Sequence, residues 1–327
     1  MAVDPQLAEL LHVHRDRHWV HYGADALTDH GPMAYLALAG LGASTTEIER
    51  HASAYAPRLE HAHAVREAID ARSYPSWLGT LAAYPAFVRY FDRMIAELGT
   101  DATLRRHLPE LASGWVRDAY HATIRLGYGI EFDVPSEIAA GLAYLAAVGP
   151  DERLAAVAAS NAAQEDPLAA ARARLAPQFV RGVFAERYDA VMQAGVVAAC
   201  LPHPTDALRR AARAALGVFD ATHGFFALHL VTGSHAFRVC APYIGADAER
   251  LLWAGITAGY LAIGAPLPQR AAETAPRTAA PDLAVRDGEH LIKLAWSARS
   301  QAAAFDDAAF TDVVSDYLGD ADPRRLG

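Results

Sequence analysis

The chain has 327 residues, of which 53% are hydrophobic, and it carries a formal net charge of −9. That content is ample for a continuous core in one large domain, and an acidic balance without a long basic run argues against non-specific binding to nucleic acid or anionic membranes. Two cysteines, Cys200 and Cys240, are too few and too far apart for a disulfide framework or a CxxC metal site, which suits a reducing compartment.

The first residues, Met1 to Pro5, show no basic region followed by an apolar stretch, so no signal peptide is expected. The longest uncharged apolar run, Leu251 to Pro266, is broken by Gly255, Gly259 and Gly264 and is short for a bilayer span. The expectation is a soluble, cytoplasmic protein with no membrane partner.

Alanine is abundant, β-branched runs are scarce and no stretch alternates with period two, so the predicted class is all-α: a single-domain helical bundle over residues 1–327 with a buried central site. The first helix is read from Gln6 to His21. Its His14, His18 and His21 form one stripe, but Arg15, Asp16 and Arg17 are interleaved as on a solvated face, so their removal is expected to leave any metal in place. His30-Gly31-Pro32-Met33 opens a buried helix that Gly42 closes. Ser44 and Glu47 form a capping box for a helix from Thr45 to about Tyr55.

A further helix is read over Leu59 to Ala71, then others over Pro85 to Leu98 and Leu108 to Ile124. Gly127 and Gly129 suggest a helix end and a tight approach to another element. Pro135 starts a helix that Gly149-Pro150 stops. The segment from Asp151 to Ala176 reads as peripheral helix, and Phe179 to Leu201 is helical again. Thr205 opens a long helical region through Leu230, with a break expected at Gly233-Ser234 that sets His235 at the start of a new turn. Asp247 caps a helix holding Leu251 to Ile263, and residues 264–287 form a long Pro/Ala-rich loop within the domain.

Near the end stands Gly288-Glu289-His290-Leu291-Ile292-Lys293-Leu294-Ala295-Trp296. Lys293 is the only lysine in the chain, three positions after His290, and thus on the same face of a helix. A lysine in so apolar a segment either pairs with a carboxylate, gives up its charge or snorkels to the surface. His30, His121, His235 and His290 share an apolar helical context with a nearby glycine. No HExxH, no HD dipeptide of the helical phosphohydrolases, no GxGxxG after a strand and no GxSxG is present. Imidazole ligands suit iron, copper or zinc alike.

Four blocks, in order, resemble the questin oxidase-like family. They are His30-Gly31-Pro32-Met33 with Leu38 to Ser44, His121 with Ile124 to Phe132, His229 to Arg238, and His290-Leu291-Ile292-Lys293. The resemblance implies an oxidoreductase, an oxygenase of polycyclic aromatic polyketides, opening a ring by net Baeyer–Villiger (monooxygenase) or dioxygenase chemistry in secondary metabolism. It further implies non-heme Fe(II) and O2, with the metal held by four histidines and a lysine carboxylated by CO2. On this chain the ligands would be His30, His121, His235, His290 and carboxylated Lys293, with His229 the alternative to His235.

Candidate substrate-binding residues are Tyr128, Phe237 and Trp296 as walls and Arg125 or Arg238 for a phenolate or carboxylate. The expected partner is an aromatic polyketide or quinone, with NADPH a candidate reductant and homo-oligomerisation left open. The rival readings are a flavin- or NAD(P)H-dependent Baeyer–Villiger monooxygenase without bound metal, and a non-catalytic binder of a hydrophobic aromatic metabolite.

Overall fold

In a computed structural model the described residues are 3–65, 68–161, 163–175, 183–202, 207–268, 283, 285 and 287–320. In chain order they form α1 (Pro5–Arg17), the two-residue strands β1 (His21–Tyr22) and β2 (Leu27–Thr28), α2 (Gly31–Gly40), α3 (Thr45–Tyr55), α4 (Tyr74–Trp77), α5 (Tyr84–Leu98), α6 (Thr100–Leu111) and α7 (His121–Glu131). The second half contributes α8 (Pro135–Val148), α9 (Glu152–Ala158), α10 (Pro167–Arg174), α11 (Phe184–Gln193), α12 (Ala207–Thr222), α13 (Phe225–Ile244), α14 (Ala248–Ile263), α15 (Glu289–Phe305) and α16 (Ala309–Asp320). The fold is all-α, and the one sheet among the described residues is the antiparallel pair β1–β2. No helix among the described residues is long and apolar enough to cross a membrane.

Local chemistry sets many of the boundaries. Ser44 and Glu47 close a reciprocal capping box on α3, with the Ser44 amide donating to the Glu47 carboxylate at 2.7 Å. Pro135 begins α8, where its missing N–H is harmless, and Gly149 ends it at φ 77°. At the centre α7 packs against α8 and α13, α13 against α15, and α15 against α2. α7, α8 and α13 are buried along nearly their whole length, because alanine and glycine let the backbones approach closely. Gly127 and Gly129 illustrate this: both lie inside α7, facing Ala236 of α13 and the start of α8.

The structure corrects several expected boundaries. Gly127 and Gly129 are close-approach positions and not a helix end. The described part of residues 59–71 is not helical. Instead, the Trp19 amide donates to the Glu60 carbonyl at 2.9 Å and the Ala62 amide to the Arg17 carbonyl at 2.8 Å, so this stretch runs as a strap along the chain after α1. Residues 108–124 are not one helix, since α6 ends at Leu111 and Asp118, Ala119 and Tyr120 adopt left-handed φ values of 51°, 50° and 72°.

No break occurs at Gly233-Ser234. α13 runs straight through, with Gly233 placed against the Tyr120 ring, and the real break is at His223, φ 47°, and Gly224. α1 stops at Arg17, so His14, His18 and His21 do not share a helical stripe, and Arg15 is buried against Asp92 rather than solvated. Most of the 264–287 loop, and the expected helix starts at Phe179 and Thr205, lie outside the described residues.

Candidate functional site

Four helices deliver one histidine each to a common point. His30 is the residue before α2, its amide donating to the Tyr55 hydroxyl at 2.8 Å. His121 opens α7, His229 lies one turn into α13, and His290 is in the first turn of α15. Their ligating nitrogens all lie within 4.8 Å of one another. His30 Nε2 is 2.9 Å from His121 Nε2, which is 3.1 Å from His229 Nε2.

The hydrogen bonds around the cluster fix what these nitrogens can offer. His121 Nδ1 lies 2.6 Å from the carbonyl of Asp118, and His229 Nδ1 lies 2.8 Å from the carbonyl of Phe225. A carbonyl only accepts, so each Nδ1 carries the hydrogen and each neutral ring presents a bare lone pair at Nε2. Two lone pairs therefore oppose each other with no hydrogen between them. His30 can bring at most one hydrogen to the group, and the buried His290 Nε2 has no hydrogen-bond partner. This donor set fits a cation at its centre and leaves unmatched acceptors without one.

Lys293 is fully buried, one turn beyond His290, and its Nζ has no hydrogen-bond partner. Burial lowers its pKa to about 7. All four imidazoles are also pushed down, chiefly by burial and with the neighbouring Lys293 charge adding to it: His121 to about 4, and His30, His229 and His290 well below their usual value. The four imidazoles are thus held neutral.

This has a measurable consequence. An unfolded histidine takes its proton near 6.5, but His121 in the fold does so only near 4. Between those values the unfolded chain binds more protons, so stability is fully present above about pH 6.5 and is lost as pH falls toward about 4. His121 alone accounts for about 3 kcal/mol, and the other three shift the same way. Urea denaturation of metal-free protein between about pH 5 and 7 should show a falling midpoint toward acid. A flat profile would contradict neutral imidazoles.

The expected residues distribute unevenly. His30, His121, His290 and Lys293 meet at the cluster, and of the third pair it is His229, not His235, that joins them. The two are six residues apart on one continuous helix, about 240° around its axis, so they cannot face the same point. His235 points instead to α7 and α15: its Nε2 is 3.1 Å from the Glu131 carboxylate and its Nδ1 3.0 Å from Ser297 Oγ. Burial works to raise the pKa of Glu131, but the His235 charge and the bonds from His235, Ser300 and Trp296 hold it at about 2.

None of the five expected substrate-binding side chains makes a hydrogen bond or ring contact with the four imidazoles. Tyr128 donates to the Lys293 carbonyl at 3.1 Å, Phe237 packs on Trp115, and Trp296 donates to Glu131 at 2.8 Å. Arg125 is locked to Glu137 in a buried two-point pair at 2.7 and 3.1 Å, and Arg238 binds Gln301 and Ser300. These residues hold α7, α8, α13 and α15 together around the cluster.

Among the described residues the aromatic side chain in nearest ring contact with the cluster is Phe225, with Phe226 farther off at 6.4 Å from His229. The Phe225 ring lies 4.7 Å from both His229 and His290, and at 39% exposed it separates them from solvent. Its signal in the sequence was only its position four residues before His229. Outer support also went unread: His14 Nε2 is 2.7 Å from Asp29, whose other oxygen accepts the Gly31 amide and frames His30.

The family model described as questin oxidase-like matches residues 27–199, a stretch that includes His30 and His121. The chain is similar to a Baeyer–Villiger oxidase of Paecilomyces divaricatus, 34% identical over 39% of this chain and 30% of that protein. It is likewise similar to a Baeyer–Villiger monooxygenase of Aspergillus aculeatus, 31% identical over 49% of this chain and 36% of the relative. To the questin oxidase of Aspergillus terreus it is 27% identical over 42% of this chain and 33% of that enzyme. The matched part of the chain thus spans about a third of each relative's length. With the family model covering more than half of its residues, this chain belongs to the questin oxidase-like family.

Proposed function

We propose that the chain is an oxidoreductase, a metal-dependent oxygenase that oxidises or cleaves a ring of an anthraquinone- or anthrone-like polyketide. In this reading all 327 residues act as one domain, and non-heme iron is held by His30, His121, His229 and His290, with Lys293 carrying a carboxyl group. The observation that carries it is the opposed lone pairs of His121 and His229 beside the buried His30 and the half-buried His290. When bound, iron(II) supplies the redox chemistry through which O2 can react with an organic substrate, with NADPH a candidate reductant.

The chain's own residues supply the rest. Lys293 is close to neutral at physiological pH, so its Nζ can attack CO2: a C–N bond forms, one N–H proton leaves, and an anionic carbamate oxygen replaces a buried ammonium. Three of the four histidines stand at the first turns of their helices, where the partial positive charge of the backbone also favours an anion. Phe225 offers an exposed aromatic face beside two imidazoles, against which a planar ring can stack while water is kept from the cluster. The names of the three relatives, two Baeyer–Villiger enzymes and a questin oxidase, support oxidative chemistry.

The test is anaerobic iron loading followed by elemental analysis, then oxygen uptake with anthrones and anthraquinones, with and without NADPH. Stoichiometric iron and chelator-sensitive turnover are expected. Turnover that needs added flavin and survives chelation, with no iron taken up, would favour the metal-free monooxygenase. Tight binding of the aromatic compound without turnover, and unaffected by Lys293→Ala, would favour the binder.

A further inference from the structure

The residues just before His121 are strained. Asp118, Ala119 and Tyr120 take left-handed φ values in succession, and none is glycine. Each such residue costs on the order of 1–2 kcal/mol, so the turn persists only where its surroundings hold it. Two clamps do so. The Tyr120 ring is seated against Gly233 of α13, where a Cβ would stand only 3.0 Å from it, and its hydroxyl against Gly259 of α14, where a Cβ would collide with it.

At the other end the Asp118 carboxylate accepts from His21 Nε2 at 2.9 Å and from the Tyr144 hydroxyl. Tyr144 in turn lies 3.3 Å from Thr28 Oγ1, and His21 and Thr28 are direct partners across the β1–β2 rung. The two-stranded β1–β2 pair therefore has a definite job: it carries the latch.

The turn changes what the Asp118 carbonyl can do. In a continuous helix that carbonyl would accept the amide four residues later. Here it accepts instead the backbone amide of His121 itself, three residues on, and with its second lone pair meets His121 Nδ1 at 2.6 Å, which puts the hydrogen on Nδ1 and the lone pair on Nε2.

We propose that the left-handed turn Asp118–Tyr120, latched by His21, is the positioning element that sets the tautomer and aim of His121 for metal binding. The inference rests on the metal reading above and reverses one expectation from the sequence, that the N-terminal histidines are dispensable. His21 never touches the metal in this scheme; it acts through Asp118.

The experiment compares wild type with His21→Ala, Asp118→Ala, Asp118→Asn and Asp118→Gly. Iron affinity is measured by chelator competition, folding by thermal melting, and the His121 tautomer by 15N-histidine NMR of metal-free protein. His21→Ala and Asp118→Ala should weaken iron binding about 10- to 100-fold and turn the His121 spectrum into a tautomer mixture. Asp118→Asn keeps an accepting oxygen and should restore both within a few fold.

Asp118→Gly tolerates the positive φ without the latch, so it should fold well yet bind iron as weakly as the alanine variant. Iron affinity and tautomer unchanged in the glycine variant, with only melting altered, would overturn the inference. Should wild type itself take up no iron, the metal reading falls, while the tautomer spectra still decide whether the latch holds His121.

Discussion

His229→Ala is expected to reduce iron affinity by roughly a hundredfold or more and to abolish turnover, with the helical spectrum retained. His229 Nε2 lies against His121 Nε2 at 3.1 Å, and its own Nδ1 is held by the Phe225 carbonyl, so the ring is aimed before any ion arrives. The contrasting variant is His235→Ala. That ring sits on another side of the same helix and partners Glu131 and Ser297. Its loss removes one partner of the Glu131 carboxylate, which keeps Ser300 and Trp296, and should lower stability by about 1–2 kcal/mol while leaving iron stoichiometry intact. Metal analysis and urea denaturation of the two proteins separate the roles. If His235→Ala lost the metal and His229→Ala kept it, the assigned donor set would be wrong.

Lys293→Met should stabilise the metal-free protein and cripple the loaded one. The buried amine, with no hydrogen-bond partner, sits in the fold at a pKa of about 7, against an ordinary lysine value of 10.5. The sign follows from linkage: the unfolded chain holds this proton more tightly, so the fold gains stability as pH rises from about 7 toward about 10.5 and loses it below. Methionine has a similar length and no charge, so at neutral pH the variant should gain a few kcal/mol and melt several degrees higher. The same change removes the nitrogen that reacts with CO2, so iron should bind more weakly and turnover should disappear. A variant that melts lower than wild type without metal would mean the amine is satisfied in solution.

Much of the scaffold was readable because it is local. The capping box at Ser44 and Glu47, the Pro135 start and Gly149 stop of α8, and the helical period of alanine-rich segments depend on neighbours within a turn or two. His30, His121, His290 and Lys293 could be singled out by residue type, context and block order. The sole lysine of the chain, set in an apolar helix, already implied an unusual amine, because burying an ammonium is costly whatever the surrounding fold.

The choice between His229 and His235 was another matter. It turns on whether Gly233-Ser234 breaks the helix, and the answer lies in the Tyr120 ring, more than a hundred positions earlier in the chain, which occupies the space left by Gly233. The left-handed turn before His121 was invisible for the same reason. Asp118 alone is of a type that tolerates positive φ, nothing in Ala119-Tyr120 favours it, and contacts from β1, α8, α13 and α14 make it the lower-energy arrangement. The sequence by itself determined which side chains were available as ligands and that they would sit in buried helices. Tertiary packing alone decided which lone pairs meet, since tautomer and aim depend on long-range hydrogen bonds and on the close approach of backbones at glycine.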